Sequence, residues 1–245
     1  IILIKILKYK ILKILFLIIM KKITIFNTLM LLCFFAFAQK ESKENEPSIT
    51  FGIKAGATFS KFSLSNNSET HYTASSVTSF YVGGTVNIPL FSILSIQPGL
   101  LFVGKGSNTQ LPFAPPASED TKFSPFYLEI PVNLMTQFEL GPGTFFMGGG
   151  PYFSFGVGGK IKKTFVDQSG ASQIEKDASI QFGSEASNDL KKTDFGLNAL
   201  LGYQLSNGVN IHGGYSFGLA NIDPDDSAPP SLKNSVISIG LGYSF

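Results

Sequence analysis

The sequence predicts an all-β fold: an eight-stranded antiparallel up-and-down transmembrane β-barrel, preceded by a cleaved signal peptide. Three observations predict it. Large apolar residues alternate with small or polar ones at period two in eight segments between residues 49 and 245. The connections alternate between tight turns and long polar stretches. No run of about 18 apolar residues follows residue 48, so strands rather than helices are left to cross a bilayer.

The N-terminal part reads as a leader. Met20-Lys21-Lys22 starts a basic segment, "ITIFNTLMLLCFF" supplies an apolar stretch, and Ala36-Phe37-Ala38 before Gln39 forms an A-x-A cleavage site. Residues 20–38 are therefore expected to be a signal peptide cut after Ala38, and residues 1–19 an upstream or leader extension. Residues 39–48 then form a short periplasmic linker, and 49–245 the barrel domain. Cys33, the single cysteine, lies inside the leader. Leu32 before it and "FFAFA" after it do not fit a lipidation site.

Cleavage changes the charge. Six lysines precede Ala38 and all 17 acidic residues follow it, which leaves 13 lysines and a formal charge of −4. Nucleic-acid binding then has no compositional support. The chain contains no arginine, so forked guanidinium contacts to phosphate or carboxylate are absent.

The eight segments follow in order. The first, "ITFGIKAGATFSKF", sets Phe51, Ile53 and Phe59 against Gly52, Lys54 and Thr58. The second, near 77–90, sets Phe80, Val82 and Val86 against Tyr81, Gly83 and Thr85. The third, 94–105, sets Leu94, Ile96, Leu100 and Phe102 against Ser95, Gln97 and Gly99, and its Pro98 predicts a bulge. The fourth, "PFYLEIPVNLMTQFE", sets Leu128, Ile130, Val132 and Leu134 against Tyr127, Glu129, Asn133 and Gln137. The fifth, near 144–160, leaves its register open around "GGGP". The sixth, 193–205, sets Phe195, Leu197 and Leu201 against Asp194, Gly196 and Asn198. The seventh, 209–222, sets Ile211, Tyr215 and Phe217 against Asn210, His212 and Gly214. The eighth sets Ile237, Ile239, Leu241, Tyr243 and Phe245 against Ser238, Gly240, Gly242 and Ser244.

Short links ("FSI", "LGPG" and "SNG" with its Asn207-Gly208 signal) are expected at the end that holds both termini. Four long loops, near 63–76, 106–124, 161–192 and 223–233, fall at the other end. Segments of about 12 residues at ~3.3 Å rise and ~40° tilt span ~30 Å, enough for an apolar band of ~25 Å. Closure pairs every strand edge. The apolar face then meets lipid, and the Gly/Ser face lines a crowded lumen.

"FGIKAGATFSKF", "YLEIPVNLM", "DFGLNALLGYQL" and the "GLGYSF" ending resemble the PorT-like outer-membrane β-barrel family of Bacteroidota over essentially all of 49–245. The resemblance implies the fold, an outer-membrane location and an accessory role in secretion for a founding member. It implies no active site.

Few residues suggest chemistry. Lys54 and Glu129 are expected to form a lumen ion pair. His212 faces the lumen and His71 lies in a long loop; neither has a Ser and carboxylate at a spacing that marks catalysis. Asp223, Asp225 and Asp226 are dense oxygen ligands, but they lack the glycine and distal acid of a Ca²⁺ loop. "GGGPYFSFGVGG" lacks the ending of a phosphate loop. Tyr243 and Phe245 are expected to act as a C-terminal assembly signal. No cofactor, metal site or enzymatic activity is expected. The expected partners are outer-membrane lipid, the barrel-assembly machinery and an envelope or secretion protein. Termini would be periplasmic and long loops extracellular, with a narrow solute pore as the alternative function and a lipid-modifying enzyme as a remote one.

Overall fold

The computed structural model describes residues 48–65, 73–112, 118–166, 171–225 and 231–245. The cleavage-site residues Ala36, Ala38 and Gln39, and also His71 and Asp226, lie outside them.

The described residues form eleven strands: β1 (Thr50–Ser65), β2 (Thr73–Ser75), β3 (Val77–Phe91), β4 (Leu94–Gly104), β5 (Ser107–Pro112), β6 (Ser118–Leu140), β7 (Gly143–Val166), β8 (Ser172–Ser179), β9 (Thr193–Leu205), β10 (Val209–Gly218) and β11 (Ser231–Ser244). Eight of them close a ring in the order β1-β3-β4-β6-β7-β9-β10-β11, with β11 returning antiparallel to β1. These eight correspond to the eight alternating segments of the sequence.

The faces follow the alternation. Ile53, Phe80, Leu100, Ile130, Phe153, Leu197, Ile211 and Leu241 all point outward and are exposed, while Thr58, Tyr81, Tyr127, Ser154 and Asp194 are buried inside. An outer surface apolar on all eight strands cannot rest in water. Ring closure through β11 and β1 leaves no free strand edge in the wall, as lipid requires. Around "GGGP" the register is now fixed: Met147 and Phe153 face outward, Tyr152 and Ser154 inward.

The short turns form as their residues dictate. Gly141 (φ 61°) takes the left-handed conformation favoured at the first central position of a two-residue hairpin. Gly208 (φ 88°) closes the β9–β10 turn, where its N–H donates to the Leu205 carbonyl at 3.0 Å.

Three expectations are corrected. The stretches 106–124 and 161–192 are not simply loops. β6 and β7 run on as one hairpin of 23 and 24 residues, flanked by β5 and β8, and β2 adds to β5. At ~3.3 Å per residue and ~40° tilt, 24 residues reach ~60 Å, about twice the apolar band. Polar Ser, Thr and Lys residues still pair in ladders, which is why composition alone reads as loop. Second, Pro98 causes no bulge: the β4–β6 register is the same on both sides of it. The β4–β6 ladder instead skips Gly99 and Leu100, a gap that takes in Pro131 on the facing strand. The register shifts lie between Pro89 and Phe91, and at Phe126/Tyr127, where β7 holds one extra residue. Third, β10 ends at Gly218, and Ile222, beyond it, turns into a buried cluster.

Candidate functional site

In the lumen, polar side chains from all around the ring converge, and it has three levels. At the turn end is an open cavity of about 610 Å³. Its wall includes Lys54 from β1, Thr85 and Asn87 from β3, Gln97 from β4, Gln204 from β9, and Asn210 and His212 from β10. A small cavity of about 60 Å³ follows, bordered by Lys54, Tyr81, Lys105, Glu129, Asn133 and His212.

The third level is a buried charge cluster. Lys105 Nζ lies 2.8 Å from Glu129 Oε2 and 2.9 Å from Asp194 Oδ2, and Lys105 is 1% exposed. Asn234 Nδ2 donates to the same Asp194 oxygen at 2.9 Å, and Ser154 Oγ donates to Glu129 Oε2 at 3.0 Å. The ammonium also lies 4.4 Å from the Tyr152 ring centroid and 5.1 Å from that of Tyr127. Charges this deep persist only when paired and hydrogen-bonded.

Above the cluster the mouth is filled with apolar side chains. Phe62, Ile161, Ile180, Leu190 and Ile222 form a buried core, with Phe123, Phe182 and Leu232 packed on it. Phe182 meets the Tyr127 ring edge-on at 5.9 Å, over Gly156. Backbone bonds from Gly156 N–H to the Lys192 carbonyl and from Ile180 N–H to the Gly159 carbonyl tie this segment to β7.

The expected Lys54–Glu129 ion pair is corrected here. Both residues face the lumen, but Glu129 is paired with Lys105. Among the described residues the ion pairs join Lys105 to Glu129 and Asp194, and Lys163 to Glu119. Lys54 and Glu129 share one register row through Gly83 and Leu101, but they stand three strands apart around the ring, and Glu129 Oε2 is taken by Lys105 and Ser154. Lys105 is missed by sequence reasoning because it is the last residue of the third segment, 94–105, and reads as a strand end; the observed β4 stops one residue earlier, at Gly104. The signal was present: Ser95, Gln97, Leu101, Val103 and Lys105 share one parity, so the alternation carries Lys105 inward. Asp194 is second in its segment, after Thr193, and reads as a strand end.

His212 is held by its neighbours. Its Nε2 lies 2.6 Å from the Tyr81 hydroxyl and its Nδ1 2.9 Å from Asn210 Oδ1. The amide oxygen can only accept, so Nδ1 carries the proton and Nε2 accepts from the phenol. Asp223 and Asp225 do not meet at a ligand site. The Asp225 N–H donates to Asp223 Oδ1 at 3.0 Å, an Asx turn, and no metal-binding group of three acidic, His or Cys side chains occurs among the described residues. "GGGP" lies inside β7. At the chain end, Tyr243 and Phe245 face outward with their rings 5.0 Å apart, edge to face.

A family model described as outer membrane protein beta-barrel domain matches residues 37–223. The chain belongs to that family. The barrel domain seen here extends past the match through β11, which closes the ring on β1. No curated protein sequence matches it. Among solved structures, the attachment invasion locus protein Ail of Yersinia pestis aligns at 12% identity, covering 80% of this chain and 99% of that one, with a TM-score of 0.37. Neisserial surface protein A aligns at 16% identity over 80% and 97%, with a TM-score of 0.38. OprG of Pseudomonas aeruginosa aligns at 17% identity over 80% and 95%, with a TM-score of 0.43. The family match and the closed ring of eight strands make the protein a small outer-membrane β-barrel.

Proposed function

We propose that this barrel is a closed, non-enzymatic scaffold that displays its loop-end structure outside the cell and serves as a structural or accessory protein of the envelope or of secretion. One observation carries the reading. Two successive layers, the Lys105–Glu129–Asp194 cluster and the apolar core around Phe62 and Ile222, fill the loop-end half of the lumen. Eight strands give an interior only about wide enough for side chains to fill. The long β6–β7 hairpin supports a display role, since it is far longer than a bilayer requires.

The termini are read as periplasmic, with residues 39–48 as a linker left after cleavage at Ala38. Descent from the PorT-like group of Bacteroidota is part of the same reading and rests on the quoted segments. The narrow-pore alternative has one observation in its favour, the 610 Å³ turn-end cavity. Against an enzymatic role, His212 is engaged on both ring nitrogens by Tyr81 and Asn210.

Co-purification from native outer membranes tests the accessory role. A companion protein that is lost when residues 172–179 are replaced by a short turn supports it. A barrel that purifies alone, from cells whose only defect on deletion is solute uptake, contradicts it.

A further inference from the structure

We propose that the turn-end cavity of the lumen is a binding site for a small carboxylated polyol, of the size of a sugar acid, whose carboxylate meets Lys54. At about 610 Å³ the cavity falls within the range of small-molecule sites. Lys54 is the sole charged side chain in its lining among the described residues, and no Asp or Glu side chain lines it. The acid nearest in register, Glu139 opposite Thr144, is exposed at the turn and is not part of the wall.

The wall is biased toward donors. Asn87 accepts from Ser95 Oγ at 2.7 Å, Gln204 from Ser244 Oγ at 3.0 Å, and Asn210 accepts from His212. Each amide therefore spends its oxygen inside the wall, and none of the three NH₂ groups has a hydrogen-bond partner among the described residues. Three amide donors and an ammonium facing one space suit a ligand rich in acceptors. Asn210 and Gln204 are cross-strand partners, and glycine at 242 is the register partner of both Lys54 and Asn210, so these donors share one tier.

Charge sets the ligand's valence. Glu129 acts on Lys54 from the far side, across the small cavity, but its Oε2 is taken by Lys105 and Ser154. One ammonium, with no arginine in the chain, matches a single carboxylate better than a phosphate dianion. Hydroxyl-bearing carbon then suits the amides, and Phe146, whose ring edge lies over Gly202 beside His212, offers an apolar surface to a sugar ring. The entrance lies at the end that holds the termini, so the ligand's source rests on the periplasmic reading above, although the binding itself does not.

The test is NMR titration of the full-length protein, purified from membranes into detergent micelles, with D-galacturonate and with neutral D-galactose. Galacturonate should shift the amide resonances of Asn87, Gln204 and Asn210 saturably and bind about tenfold or more tighter than galactose. Lys54→Gln should remove that preference, and Gln204→Leu should weaken both sugars while keeping it. Heat-dependent gel mobility verifies that each variant is folded. Equal binding of the two sugars, no saturable shift, or a preference that survives Lys54→Gln overturns the proposal. A conducting barrel would refute the closed-lumen reading, whereas these titrations decide only the site.

Discussion

The Tyr81 hydroxyl lies 2.6 Å from His212 Nε2, and the two inner-face residues between them in the sheet, Gly56 and Gly240, are both glycine. On β3, β1, β11 and β10 the sequence of register partners is Tyr81, Gly56, Gly240, His212. A Cβ on Gly240 would strike the Tyr81 hydroxyl and the Ala55 carbonyl. The glycines thus form a trough that lets a phenol lie across two strands. The same device recurs where Tyr152 crosses its partner Gly196 toward Asp194. Inner-face glycine in this barrel leaves room for aromatic side chains from neighbouring strands.

Gly240→Ala is therefore expected to destabilise the barrel by roughly 1–3 kcal/mol, as overpacking does. Tyr81→Phe removes one hydrogen bond and keeps the packing, so it should cost only about 1 kcal/mol. Urea unfolding of the protein in lipid vesicles measures both. A Gly240→Ala barrel as stable as the parent would show that the trough is not needed.

Lys105→Met should be much more severe, because it leaves Glu129 and Asp194 buried without their cation. Removal of one partner of a buried pair costs about 3–5 kcal/mol. Combining Lys105→Met with Glu129→Gln and Asp194→Asn removes the stranded charge and should recover most of that loss. The same unfolding assay decides, and a triple variant no better than the single one would contradict the assignment.

The fold was legible because lipid outside and a narrow lumen inside impose opposite demands on alternate residues, and the eight segments carry that contrast plainly. The loop-end strands were not legible: β5, β8 and the outer parts of β6 and β7 carry Ser, Thr, Lys and Asp on both faces, and only scattered residues such as Phe123 and Ile161 turn into the core, so their alternation carries little polarity contrast. The charge cluster was half legible. Glu129 shows itself mid-strand, but its partner, Lys105, sits just past the end of β4 and meets it only once the ring has closed, which no single strand reveals. The apolar mouth was hidden because Ile180, Leu190 and Ile222 come from irregular segments that fold back only once the ring exists.

Phe245 tests the C-terminal signal. Its ring is exposed beside Tyr243, and its N–H donates to the Phe51 carbonyl at 2.8 Å. Phe245→Ala keeps that backbone bond, so the assembled barrel should be unchanged while its amount in the native outer membrane falls. The folded fraction is scored by heat-dependent gel mobility. Unchanged assembly would remove Phe245 from any recognition role.

Conductance of the purified protein in a planar lipid bilayer tests the closed lumen most directly. The Lys105 cluster and the apolar layer above it leave no path through the loop-end half, so no steady ion-conducting state is expected. Stable single-channel currents that change with Lys54→Ala or Glu129→Ala would contradict this and make the protein a narrow pore.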